Sequence, residues 1–146
     1  MNQLYEIYTK HKDPVSKIKP ASLVPAKKNK YNNKWIVIDN INFQSTGEGY
    51  YYLELKDRMR RDEIKGFKRQ VEFELVVNGV RVGLYKCDFM VLNHDLSLEV
   101  LDFKGEHTAK LPEFLLKEKL MLAVYGVVIK KPGLKINSKK ISKKFA

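Results

Sequence analysis

Three acids and a lysine are spaced so that they could work together on a phosphate ester. Asp102 and Lys104 stand two apart at the end of the apolar run Leu96-Ser97-Leu98-Glu99-Val100-Leu101. Asp88 interrupts a second such run, between Tyr85-Lys86-Cys87 and Phe89-Met90-Val91. Glu48 follows Ser45 at the spacing of a helix-capping box. A carboxylate in apolar surroundings needs compensation, and a divalent cation supplies it. Hard carboxylate oxygens suit Mg²⁺, with Mn²⁺ as a substitute, and such an ion polarises a phosphate and lowers the pKa of bound water. A nearby ammonium can orient that water or offset charge in the transition state. An isolated Asp-x-Lys is by itself more often a surface ion pair. The second acid on a neighbouring strand and the helix acid raise this one above that.

The elements that must position these groups follow from periodicity. Trp35 to Ile38 is a short β-rich run, turned by Asp39-Asn40 into Ile41 and Phe43. A helix capped by Ser45 extends to about Asp62, with Tyr51, Leu55 and Met59 on one face. Phe67, Val71, Phe73, Leu75 and Val77 alternate with polar residues as a half-buried strand. Asn78-Gly79 is a strong hairpin signal, so Val80 to about Leu92 pairs antiparallel with it. Asn93-His94-Asp95 turns the chain into a third strand, Leu96 to Phe103. A turn centred on His94 sets Asp88 opposite Val100 and diagonal to Asp102, on one face; a shift of one residue would separate the two acids. Pro112 opens a second helix with an apolar face of Leu116, Leu120, Ala123 and Val124, stopped by Gly126, and Val127 to Ile129 forms a last strand. The fold class expected is α/β, a mixed sheet with helices packed on it.

Charge divides the chain differently. The 146 residues carry a formal charge of +11, but residues 1–34 hold +6, residues 130–146 hold +7, and the middle stands at −2. A basic N-terminal arm (1–34), one folded domain (35–130) and a basic tail (131–146) are expected. Lysine-rich arms attract polyanions, and Lys27, Lys28, Lys30, Lys139 and Lys140 are the expected DNA contacts there. Lys117 and Lys119 on the second helix are further candidates, although a solvated helix face accounts for them as well. The single cysteine, Cys87, excludes an internal disulfide and a cysteine-based zinc cluster and reads as a small buried hydrophobe. No run reaches the roughly 20 apolar residues of a membrane span, and the first residues lack the order of a secretory signal, so a cytoplasmic protein is expected. His94 and His107 read as solvated loop histidines, and Tyr50, Tyr51 and Tyr52 as helix packing with one exposed ring.

The segment from Lys30-Tyr31-Asn32 through Ser45-Thr46-Gly47-Glu48, Asp62-Glu63-Ile64, Gln70, Cys87-Asp88-Phe89 and Asp102-Phe103-Lys104-Gly105 resembles a phage and prophage family of unknown function. That family is grouped with the PD-(D/E)XK nuclease superfamily, and the likeness runs over about residues 28–130. The resemblance implies a core order α-β-β-β-α-β, with Glu48 as the helix acid, Asp88 as the motif aspartate, and Asp102 with Lys104 as the (D/E)-x-K pair. Gln70 matches the family's glutamine, an accessory position without an assigned role. Cys87 stands where the motif has Pro, and Asp102 where Glu is commoner. The expectation is a Mg²⁺-dependent DNA endonuclease, with Asp88, Asp102 and Glu48 as metal ligands and Lys104 beside the attacking water. By analogy with small phage junction resolvases, it would act as a homodimer on branched DNA. The alternatives are a nuclease of linear DNA and a non-catalytic nucleic-acid-binding protein.

Overall fold

The computed structural model describes residues 3–12 and 35–132. The chain is a mixed α+β structure with antiparallel sheets. Its helices are α1 (Gln3–Lys10), α2 (Thr46–Arg60), α3 (Glu106–Ala109) and α4 (Pro112–Tyr125). Its strands are β1 (Ile36–Ile38), β2 (Ile41–Phe43), β3 (Gly66–Arg69), β4 (Glu72–Val77), β5 (Val80–Lys86), β6 (Phe89–Leu92) and β7 (Leu98–Leu101). The sheet β3-β6-β7 lies at the centre, and all four residues of β6 are buried. Strand geometry sends alternate residues to opposite faces, so this apolar run feeds two cores. Phe89, Val91 and Leu101 join Ile41, Phe43, Tyr52 and Leu55 under α2 and the β1–β2 hairpin. Met90, Leu92 and Val100 join Tyr8, Phe73, Phe114 and Met121, on the side of α1 and α4.

The long first and second strands expected from alternation form one hairpin, whose register shifts by one residue between Leu75 and Val76 and whose pairing is interrupted midway. Gly66 pairs with Leu92 and Glu72 with Lys86, and between these blocks only Gln70 N donates to Asp88 O (3.1 Å) and Cys87 N to Val71 O (3.0 Å). Gln70 has a φ of 53°, a left-handed conformation that a strand cannot contain. The hairpin therefore bends there: β3 and β6 stay in the central sheet, and β4 and β5 leave as a two-stranded ribbon. At the ribbon's tip Asn78 and Gly79 take positive φ, as a two-residue hairpin requires, and Val76, Val77, Val80 and Val82 are exposed.

Several expectations are corrected. Met90 pairs with Val100, so the β6–β7 turn centres on Asp95 and not on His94. Leu96 falls in that turn with φ 67°, and the Asp95 carboxylate accepts from Ser97 N (2.9 Å). The start of the supposed N-terminal arm is helix α1, whose Tyr8 enters the core; Lys68 Nζ donates to the carbonyls of Tyr8 and His11 (2.9 Å to the latter), closing the helix end. On α2, Met59 is exposed and the buried face is Tyr52 and Leu55. On α4, Phe114 and Met121 are buried while Leu116 and Ala123 are exposed. Apolar residues fall on every side of that helix among its four charged ones, so spacing could not choose its inner face. The last run is extended beside β7 with a single parallel bridge, Leu101 to Lys130, and is not a strand. Among the described residues no helix is long and apolar enough to cross a membrane.

Candidate active site

Each acid is brought in by a different element. Ser45 caps α2, its Oγ accepting from Glu48 N (3.2 Å), which orients the first turn. Gly49 then lets that turn lie directly on the β1–β2 hairpin: a Cβ there would be 2.6 Å from Ile36 Cγ2. Glu48 is buried as a result, at 7 % exposure, and burial raises its pKa. Neighbouring Asp102 pushes the same way, whereas the Arg69 and Lys104 cations oppose.

Asp88 sits at the bend of the hairpin, where its backbone is shared between β3 and β7. Its N–H donates to Leu101 O (3.1 Å), and its carboxylate accepts from Phe103 N at Oδ2 (2.7 Å) and from Gln70 Nε2 at Oδ1 (3.4 Å). The β6–β7 pairing ends at Phe89 and Leu101; Asp88 N–H is out of that register by one residue and Asp102 N–H turns to Lys130, yet the two carboxyls still come close enough to interact. Burial first, then the negative charges of Glu48 and Asp102, push the Asp88 carboxyl up to about 8.

Asp102 is 1 % exposed, directly after β7, where Lys130 O accepts from its N–H (2.9 Å). Tyr85 OH donates to its Oδ2 (2.8 Å), and Lys104 Nζ stands 3.2 Å from its Oδ1. Lys104 also lies over the Phe114 ring, 5.1 Å from the centroid, so the cation is held from two sides.

Two residues of the site escaped the sequence reading. Arg69 is buried, stacked over Phe43 (4.6 Å) and close enough to Glu48 to lower its pKa. Its signal was available, since it occupies the apolar phase of its strand between Phe67 and Val71. Tyr85 carried no such mark, because a tyrosine in an apolar strand is unremarkable until its hydroxyl finds a partner. Of the lysines expected to touch DNA, Lys117 lines a cavity with Asp102 and Lys104, whereas Lys119 points outward on α4 and lines neither cavity beside the acids. Lys27, Lys28, Lys30, Lys139 and Lys140 lie outside the described residues. His94 holds the Asp62 carbonyl (2.8 Å), away from the acids.

The acids separate two cavities. Glu48, Arg69, Gln70 and Asp88 line one of about 320 Å³, and Asp102, Lys104 and Lys117 line one of about 430 Å³. Among the described residues no three His, Cys, Asp or Glu side chains are grouped as they stand into a metal-holding set. The donor chemistry nevertheless fits a hard cation: the Asp88, Asp102 and Glu48 carboxyls lie near enough to repel one another, which raises the pKa of Asp88 and of Glu48, and a cation would relieve that repulsion.

Residues 28–142 match the model of a family described as "Protein of unknown function (DUF1064)". The chain belongs to this family. The DUF1064 stretch contains Glu48, Asp88, Asp102 and Lys104 together with Arg69 and Tyr85, and α1 lies before it. No curated protein and no solved structure is similar enough to add to that finding.

Proposed function

We propose that the chain is a metal-dependent DNA endonuclease with a PD-(D/E)XK type of site. The observation that carries the reading is the meeting of Glu48, Asp88 and Asp102 from three separate elements, with Lys104 seated on Asp102. The element order also agrees with it: a capped helix, a bent hairpin joined by a third strand, a second helix, and an extended run beside β7.

Asp88 and Asp102 would hold Mg²⁺ or Mn²⁺, with Glu48 completing the set. Such an ion polarises the scissile phosphate and acidifies water. The chain's own groups do the rest. Tyr85 and Phe103 N–H each hold one carboxylate oxygen, and the other oxygens now face Lys104 on Asp102 and Gln70 on Asp88. Lys104 positions the attacking water, and Arg69 supplies positive charge beside Glu48. Branched DNA of phage recombination or replication is the substrate class favoured, cut by a homodimer, with the lysine-rich ends holding flanking duplex.

A non-catalytic nucleic-acid binder draws on one observation, the lack of a ready-made three-acid group among the described residues. The two readings part in one experiment. The protein and its Asp102→Asn variant are incubated with four-way, flapped and linear DNA, in Mg²⁺ or in chelator. The nuclease reading expects cutting by the parent in Mg²⁺ alone; binding without cutting throughout would establish the rival, and equal cutting of linear and branched DNA would remove the junction preference.

A further inference from the structure

The cavity of about 430 Å³ lies on the far side of Asp102 from Glu48, between β5 and the start of α4. Its size falls in the range of small-ligand pockets, roughly 300–1,000 Å³. Its walls are of two kinds. Leu84, Leu111 and the Phe114 ring give apolar surface, with the Thr108 hydroxyl set among them, and Lys86, Lys104 and Lys117 bring three cations. Glu113 is also at the wall, 3.2 Å from Lys117 Nζ, and is largely exposed. An apolar wall beside clustered ammonium groups fits a group with a flat apolar body and an anionic link, which is the chemistry of a nucleotide.

We propose that this cavity is a nucleotide pocket, taking one unpaired nucleotide next to the phosphate that is cut. The proposal rests on the nuclease reading for the position of that phosphate, and it sharpens the substrate class. Lys104 and Asp102 belong both to the acid site and to this cavity, so a strand whose phosphate lies at the acids has its neighbouring nucleotide at the cavity mouth. Lys86 and Lys117 then hold the next phosphate, and Leu84 and Leu111 receive the base. A base stacked and paired in a duplex cannot enter such a recess without leaving its stack, which costs energy that a frayed, flapped or junction nucleotide has already spent. The pocket thereby gives selectivity for unpaired DNA without reading sequence. Glu113 tempers it by competing for Lys117.

The test separates binding from cutting. The full chain, in chelator so that no cleavage enters, is titrated with a short single-stranded oligothymidylate, with the same oligomer carrying an abasic site, and with a capped, fully paired duplex. Lys117→Glu and Leu111→Asp, both at exposed or half-buried positions and checked for folding by thermal melting, are expected to weaken the oligothymidylate by about tenfold or more, the size of one charge-assisted or apolar anchor. Glu113→Gln is expected to strengthen it, since Lys117 is released. Duplex affinity should change by less than about twofold in Leu111→Asp, and the abasic oligomer should lose most of the effect of that variant. Equal losses for single strand and duplex in every variant would overturn the pocket, as would unchanged binding in Lys117→Glu or no gain in Glu113→Gln. An absence of cutting by the parent in Mg²⁺ would overturn the nuclease reading alone, because these affinities are measured without it.

Discussion

Asp88 and Asp102 lie just beyond the last β6–β7 pair, Phe89 with Leu101, close enough for their carboxyl groups to interact. Neither comes from the paired part of a strand: one sits in the bend of the hairpin and the other just after β7. Their contact forces a choice between a shared proton and a shared cation.

That choice sets the pH dependence of stability. With the Asp88 carboxyl raised to about 8, the folded chain keeps a proton that the unfolded chain releases near its ordinary value. Between about pH 4 and pH 8 the native state therefore binds more protons, and in chelator stability should fall as pH rises through that window, by on the order of a few kcal/mol. Thermal melts across the range check it. Asp88→Asn should flatten the slope, and Mg²⁺ should do the same in the parent by displacing the proton.

Lys104 is expected to act on the chemistry and, through its pairing with buried Asp102, on stability as well. Lys104→Ala should lower the Mg²⁺-dependent cleavage rate by roughly 10²–10⁴, a far larger loss than that of DNA binding in chelator. Single-turnover cleavage alongside a binding titration separates the two.

Tyr85→Phe removes the one hydroxyl that donates to Asp102 Oδ2 inside the core. A buried acceptor that loses its donor costs about 1–3 kcal/mol, readable in urea denaturation. Cleavage should fall too, because Asp102 is then free to rotate away from Asp88.

The seating of Glu48 depends on a close approach, since any side chain at position 49 meets Ile36 Cγ2. Gly49→Ala should destabilise the fold by about 1–3 kcal/mol through overpacking. Ser45→Ala should cost about 1 kcal/mol through the lost cap. Glu48→Gln should leave stability nearly unchanged or improve it, because burial already disfavours the charged form.

The lysines of the two ends should govern affinity and not chemistry. Replacing Lys27, Lys28, Lys30, Lys139 and Lys140 with Gln should reduce the slope of log affinity against log salt by about 0.9 for each lysine that contacts a duplex phosphate. Cleavage should survive at low salt. An unchanged slope would mean that these residues merely carry charge.

What could be read before the structure was local. Asn78-Gly79 fixed the hairpin because only a tight turn of positive φ suits that pair, and Ser45 with Glu48 marked a helix start through its own hydrogen bond. Alternation along 67–77 and 80–92 recovered the antiparallel pairing, yet it revealed neither the register shift after Leu75 nor the bend at Gln70 and Cys87-Asp88. A bend is a backbone event, and Gln70 is not a residue that usually takes φ 53°. The nearness of Asp88 to Asp102 followed from joining the two strands by a short turn; the register did not, because Asp95 and Leu96 set the turn through a side-chain bond and Asp88 N–H slips to Leu101 O. Helix α1 was hidden by the lysines and prolines that follow it. Tyr8 and its core contacts, with the bonds of Lys68 and His11 across to β3, join residues far apart in sequence and show that it belongs to the body.

The ribbon of β4 and β5 leaves the central sheet at the bend, and among the described residues no third strand borders it. Its tip is lined by exposed Val76, Val77, Val80 and Val82. On the β4 side Tyr125 OH already holds Glu74 O, so the β5 side with exposed Val80 and Val82 is the part open to strand addition from other chains. Val80→Lys and Val82→Thr, both outside the acid site, are the changes of first resort for keeping it in solution.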